Sequence, residues 1–254
     1  MSKITTNQED HYKEASDNYH SAFFYSGEYE TWQLDIILKT LGLSENNRLA
    51  DIGGGTGRFA SLIYNKAKLR YPVTCIDPSP DMLSQAKELR GVDTICCNAR
   101  EFGLRHDQTS YDRILLKEVV HHLSEEDLKT TFSSLFSMLS KDGKVIICTR
   151  PHEVEYPFFE AAHNVWRQNQ PPKEYYVSLL EEIGFHVSLT VFDYPAKLNI
   201  DWWTNMVKNR FWSTFSEFND NEIASGVNEI YQKYGKSGFV SFTEKLVLIV
   251  AEKD

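Results

Sequence analysis

Residues 49–59 read LADIGGGTGRF, a short apolar run holding Asp51 and then Gly53, Gly55 and Gly57 at alternate positions. A strand that turns sharply into a helix needs residues that tolerate positive φ and let a ligand approach the backbone. The helix start beyond such a turn offers N–H groups without helical partners. In an open parallel sheet the turn faces the crevice at the carboxyl ends of the strands. The stretch therefore implies a nucleotide-like ligand. Spacing narrows the choice: the dinucleotide fingerprint G-x-G-x-x-G would need glycine at position 58, where Arg58 stands, and no Gly-Lys-Ser/Thr follows to make a P-loop.

Strand and helix patterns alternate from about residue 48 to 193, which predicts a parallel sheet covered on both faces. RLADIG, VTCIDPS, DTICCNA, YDRILLKEV and KVIICTR read as short buried strands. Between them Phe59, Leu62, Ile63 and Ala67 share one helical face. A second helix has Ser79 as N-cap, Pro80 at its first position and Gly91 as C-cap. A third opens at Ser124-x-x-Asp127, carries Leu128, Phe132, Leu135, Phe136 and Leu139 in a stripe, and stops at Gly143. KEYYVSLLEEIGF predicts another, ended by Gly184. Two regions stand outside the alternation. Residues 10–42 are rich in tyrosine and hold an amphipathic helix ended by Gly42; residues 195–236 separate a strand near 186–193 from a final strand, TEKLVLIVAEK. With no repeat or flexible linker, residues 1–254 are expected to form a single domain.

The next two strand ends carry groups that suit a nucleoside. Asp77 can accept hydrogen bonds from both ribose hydroxyls, and Pro78 and Met82 can cover one face of a base. Asn98 has an amide able to pair with adenine's exocyclic nitrogen, and Ala99 supplies a backbone N–H. The plain alternatives stay open at this point: Asp77 and Asn98 as caps of turns or helices, Met82 as core.

With LADIGGGTGRF, CIDPSPDML, CCNAREF, YDRILLKEVVHHL and LSKDGKVIICTRP on the page, the chain resembles the class I S-adenosylmethionine-dependent methyltransferases over roughly residues 46–193 and the last strand. The resemblance implies an α/β, doubly wound, mostly parallel seven-stranded sheet with its final strand antiparallel. An N-terminal helical lid (1–45), a cofactor-binding core (46–193 and 241–254) and a helical substrate cap (195–236) complete the expected layout. It also implies S-adenosylmethionine as cofactor, with Asp51, Gly53, Gly55 and Gly57 at the methionine portion, Asp77 at the ribose, and Asn98 and Ala99 at the adenine. This family often has an acid where Asn98 stands.

A sulfonium methyl is already activated, so such a site mainly aligns a nucleophile behind it. A base is needed only where the acceptor must lose a proton. The fourth strand delivers His121 and His122, which are not expected to share one face; His121 is the candidate catalytic base and His122 a candidate acceptor contact, with capping of the next helix as the rival for both. The backbone of Lys117 is placed to line the methyl donor, its side chain being read as solvated like that of Glu118. Arg150 and His152 end the fifth strand, where Arg150 reaches an acceptor or makes a surface ion pair. Tyr25 is expected at the cofactor and Tyr19 at the acceptor, both from the lid. Trp203 and Arg210 are candidate acceptor contacts from the cap, the guanidinium suiting a carboxylate; at helical spacing, aromatic residues such as Trp203 also suit a core.

The remaining expectations come from bulk properties. Of 254 residues 41% are hydrophobic and 25% charged, with a formal charge of −9 and no basic block, which excludes a nucleic-acid partner. The start, MSKITTNQEDHYKE, is polar and predicts no signal peptide, and no apolar run predicts a membrane span. None of the four cysteines forms a C-x-x-C pair, so buried free thiols, a cytoplasmic setting and no metal site are expected. The reading is methyl transfer to a small-molecule acceptor, oligomeric state left open. Its alternatives are aminopropyl transfer on the same fold, disfavoured by Thr56 where those enzymes carry an acid, and a non-catalytic S-adenosylmethionine-binding partner module. A dehydrogenase is set back by Arg58.

Overall fold

The computed structural model describes residues 27–105 and 110–253; Tyr19 and Tyr25 lie outside them. Among the described residues seven strands are present: β1 (Leu49–Ile52), β2 (Val73–Asp77), β3 (Val92–Cys96), β4 (Tyr111–Lys117), β5 (Leu139–Thr149), β6 (His186–Asn199) and β7 (Phe239–Glu252). They form one sheet in the order β3-β2-β1-β4-β5-β7-β6. Strands β1 to β5 pair in parallel, and β7 runs antiparallel to β5. The order reverses between β1 and β4, and such a switch point opens a crevice at the strands' carboxyl ends. The helices among the described residues are α1 (Gly27–Leu41), α2 (Arg58–Ala67), α3 (Pro80–Ala86), α4 (Ala99–Gly103), α5 (Glu125–Met138), α6 (Glu160–Asn169), α7 (Lys173–Ile183), α8 (Ile200–Lys208) and α9 (Asp220–Tyr234). No helix among the described residues is long and apolar enough to cross a membrane.

The chain divides into two compact units. The first takes residues 31–150, 172–192 and the end of β7 from 247. Ala50 and Ile52, Ile114 and Leu116, and Val145 and Ile147 pack there with Phe102 of α4, Phe132 and Leu135 of α5 and Tyr176 of α7. Strand side chains alternate between faces. Asp51, Leu115, Lys117, Ile146 and Cys148 therefore project from the other face. The second unit takes 151–171 and 193–246 with the start of α1. Its core is aromatic: Tyr156, Phe158, Phe159, Trp166, Trp203, Phe215 and Phe242.

Several boundaries differ from those expected. β6 runs on to Asn199 through Pro195, and β7 starts at Phe239, so the segment between them is shorter than 195–236. β6 is an edge strand, where a proline without an N–H is tolerated. α5 ends at Met138, because Leu139 already pairs with Tyr111 of β4; Gly143 is a strand residue whose Cβ would lie 2.8 Å from the Ser140 carbonyl oxygen. α3 ends at Ala86, and Gly91, at φ +77, instead gives room to the ring of Tyr64. α6 had no counterpart in the expected pattern. Of the thiols expected to be buried, Cys75 and Cys148 are, while Cys97 is half-buried and Cys96 exposed at the end of β3.

Candidate active site

The turn after β1 is fixed on one side and open on the other. The N–H groups of Gly53 and Gly54 both donate to the carbonyl of Ile76, at 2.7 and 3.1 Å, which ties the turn to β2. Gly53 has φ +70, and a Cβ there would fall on the side chain of Val119. Gly57, at φ +71, caps α2, and its Cβ would lie 2.8 Å from that of Ala86. Any side chain at these two positions meets both backbone strain and a packed neighbour. A Cβ on Gly55 would meet nothing within 4 Å. The open space at Gly55 lets a nucleotide-like group approach the backbone of the turn closely.

Asp77 closes β2 and is wired into the turn. Its Oδ2 accepts from the Gly55 N–H at 3.0 Å and its Oδ1 from the Ser79 N–H at 2.9 Å. Each carboxylate oxygen has a second lone pair, so the capacity to accept two hydroxyl protons remains. Burial raises the pKa of Asp77, and the hydrogen bonds from Ser79 and Gly55 act against it. Ser79 caps α3 by accepting from the Met82 N–H; Met82 is buried and Pro78 exposed. At the end of β3, Asn98 is the N-cap of α4: its Oδ1 accepts from the Glu101 N–H at 2.8 Å, and the Glu101 carboxylate accepts from the Asn98 N–H at 3.1 Å. The capping role left open for Asn98 is thus present. Ala99 is buried at the first helical position, whose N–H has no partner within the helix.

Beneath the turn lies charge. Asp51 is 2% exposed, and burial raises its carboxyl to about 7, with Lys117 pulling it down and Asp77 pushing it further up. Lys117 is half-buried: its Nζ stands 4.6 Å from the ring centroid of Phe59, and burial lowers its ammonium to about 8 against the attraction of Glu118.

At the end of β4 the chain turns through Glu118, at φ +58, whose N–H still donates to the Cys148 carbonyl at 2.8 Å. Arg150, 9% exposed at the end of β5, holds the Glu118 carboxylate through Nε at 2.7 Å. The pair is buried, where the sequence suggested an acceptor contact or a surface bridge. A 3-10 turn over Val120–His122 follows. The rings of His121 and His122 lie 3.9 Å apart at 48°, so they do face one another; the tight turn brings consecutive side chains together in a way an extended chain would not. His121 Nδ1 is buried without a hydrogen-bond partner among the described residues. Burial, then the charge of Arg150, lowers this imidazole to about 4.

The candidates in the second unit have other work. Trp203 is wholly buried, donates from its indole N–H to the Pro157 carbonyl at 2.9 Å and stacks on Phe158 at 5.7 Å. Arg210 donates to the Phe218 carbonyl at 3.0 Å and pairs with Asp220 at 2.7 Å, which ties the start of α9 to the end of α8. His152 Nδ1 lies 2.6 Å from the Gln170 carbonyl oxygen. Sequence reasoning missed the Glu118–Arg150 pair and the packing of the Lys117 ammonium on Phe59. The available signal was that all three stand at the tips of the adjacent strands β4 and β5.

Comparison with known proteins agrees with this geometry. Residues 49–143 match the family described as a methyltransferase domain. An uncharacterized methyltransferase of Staphylococcus carnosus is 29% identical over 119 residues, 47% of this chain and 55% of that protein, so the match spans about half of that relative. Among solved structures, a candidate methyltransferase from an antibiotic biosynthesis pathway of Anabaena variabilis superposes with a TM-score of 0.69 at 20% identity, over 87% of this chain and 96% of that one. Phosphoethanolamine N-methyltransferase 2 of Haemonchus contortus, in complex with phosphomonomethylethanolamine and S-adenosylhomocysteine, gives 0.56 at 20% identity, over 87% and 52%. The sheet order and the glycine turn are those the resemblance implied, and residues 49–143 are similar to a methyltransferase domain.

Proposed function

We propose that this chain transfers a methyl group from S-adenosylmethionine to a small-molecule acceptor. The observation that supports the reading is the hydrogen bond from the Gly55 N–H to the Asp77 carboxylate, which joins the glycine turn to the end of β2, with the Cys97 N–H just ahead of α4 donating to the Asp77 carbonyl. When bound, the cofactor supplies an electrophilic methyl on a positively charged sulfur. Gly55 offers it an unobstructed backbone surface, and Asp77 holds the ribose through its remaining lone pairs. Ala99 presents a backbone N–H to the adenine, with Met82 and Pro78 beneath it. The second lone pair of Asn98 Oδ1 accepts from the exocyclic amine, in keeping with the cap it already makes. Asp51 and the backbone of Lys117 line the methionine end.

His121 is neutral at physiological pH, because its imidazole is held near 4. A neutral imidazole accepts a proton from an acceptor hydroxyl or ammonium, or orients an acceptor that needs no base. His122, in ring contact with it, stands as its companion on the acceptor side. The four free thiols support a reducing, cytoplasmic setting for this activity.

Isothermal titration with S-adenosylmethionine, S-adenosylhomocysteine and NAD tests the cofactor. The first two are expected to bind and NAD is not; NAD binding without sulfonium binding overturns the reading. Small-molecule acceptors are then screened by release of S-adenosylhomocysteine.

A further inference from the structure

Two consecutive thiols stand at the tip of β3, and they are the accessible ones. Cys75 and Cys148 are wholly buried, whereas Cys96 is exposed and Cys97 half-buried. β3 lies at an edge of the sheet, and its register sets Cys96 directly beside Asp77 at the end of β2, on a strand about 4.8 Å away. Cys96 is the last residue of the strand, so strict alternation ends there and Cys97 begins the turn into α4. The Cys96 thiol donates to the Pro78 carbonyl at 3.7 Å, and the Cys97 N–H donates to the Asp77 carbonyl at 3.2 Å. Both ties from this tip therefore end on the Asp77–Pro78 corner. Burial raises the Cys97 thiol, a hydrogen bond and the charge of Arg105 pull it back, and the charge of Cys96 reaches it too. A half-buried thiol with a guanidinium beside it and a second thiol next in the chain is the arrangement of a resolving cysteine.

We propose that Cys96 and Cys97 are a thiol–disulfide pair that controls cofactor binding, closing to a disulfide between neighbours when low-molecular-weight disulfide accumulates. The inference rests on the methyl-transfer reading, in which Asp77 holds the ribose and Asn98 and Ala99 meet the adenine. The Cys96 thiolate attacks oxidised glutathione; the glutathione S–S bond breaks, a Cys96–glutathione bond forms and one glutathione thiolate leaves. The Cys97 thiolate then attacks the Cys96 sulfur and expels the second glutathione thiolate. The two thiol protons end on the two glutathiones, and two electrons pass from the pair to the oxidant. Closure removes the proton that Cys96 gives to Pro78. It also twists the one peptide whose N–H reaches Asp77, since that peptide lies inside the new ring. Consecutive Cα atoms are about 3.8 Å apart, short of the roughly 4.4–6.8 Å usual for a disulfide, so the ring is strained and easily reduced again.

The test treats the full chain with oxidised glutathione and reads intact mass and calorimetric binding of S-adenosylmethionine. The wild type is expected to lose two hydrogens, and Cys97→Ser to stop with one glutathionyl group attached. Oxidation should weaken S-adenosylmethionine about 10-fold or more, and dithiothreitol should restore it. Reduced Cys96→Ser should bind like the reduced wild type and keep that affinity after the same treatment. The proposal is overturned if no disulfide forms between the neighbours, if oxidised wild type binds as tightly as reduced, or if Cys96→Ser loses affinity equally. A reduced wild type that binds no S-adenosylmethionine refutes the methyl-transfer reading itself, and the mass still shows whether the two thiols close.

Discussion

The guanidinium Nε of Arg150 lies 2.7 Å from Oε1 of Glu118, joining the tips of β5 and β4 at the corner that leads to His121. Glu118 occupies the left-handed region, at φ +58, a conformation that costs a non-glycine residue about 1–2 kcal/mol. The ion pair offsets that strain and fixes the direction in which the 3-10 turn leaves the strand. Removing one member leaves a buried charge without compensation. Arg150→Met is expected to lower stability by about 3–5 kcal/mol in chemical denaturation. It should also raise the pKa of His121, since Arg150 holds it down, and a histidine NMR titration reads that shift directly. A stable variant with an unmoved His121 titration would contradict this role.

Asp77 supports both the turn and the proposed ribose contact. Asp77→Ala is expected to weaken S-adenosylmethionine binding about 10–100-fold, the loss of hydrogen bonds to a charged acceptor. Titration calorimetry checks it, and an unchanged dissociation constant would place the ribose elsewhere.

For His121 the expected signature is kinetic. His121→Ala should reduce turnover about 10²–10⁴-fold where the acceptor must lose a proton, with cofactor affinity unaltered. A base must be unprotonated, so wild-type activity should be lost only as pH falls through about 4. An acidic limb near pH 6–7 that disappears in the variant would show that the imidazole is not held down as the burial around it requires.

Asp51 gives stability an inverse dependence on pH. Its carboxyl sits at about 7 in the fold, mainly through burial, against about 3.9 in an unfolded chain. Between these values the folded chain keeps a proton that the unfolded chain has released, so this group's contribution declines as pH rises from about 4 to about 7 and then levels. The stability of Asp51→Asn relative to wild type should therefore become more favourable over that interval. Thermal unfolding across the range measures the difference, and a flat difference would place the carboxylate in water.

The legible part of the molecule was the part in which backbone geometry dictates residue type. Gly53 and Gly57 announce themselves because positive φ and a packed neighbour leave no other choice, and the place of Asp77 at a strand end because it closes an apolar run ahead of Pro78. The fold class followed from the alternation of apolar strands and amphipathic helices. Arg210 and Trp203 could not be resolved in this way. A guanidinium that ties Asp220 to the Phe218 carbonyl and one that grips a ligand have the same sequence signature, and a buried indole at helical spacing looks the same whether it touches core or acceptor. Lys117 was hidden for a related reason: lysine is ordinarily solvated, and only the register of β4 against β1, together with the ring of Phe59, reveals that it is half-buried.

The position of β6 at the margin of the sheet has a consequence for solubility. A fourteen-residue border strand bearing the exposed side chains of Leu189 and Val191 is a template on which another chain could polymerise. Pro195 interrupts its row of amide donors, and Asp193 and Lys197 place charges on either side of the gap. The strand can complete its own sheet while resisting recruitment into a fibril, and Pro195→Thr should raise the aggregation rate measured by light scattering while leaving the fold intact.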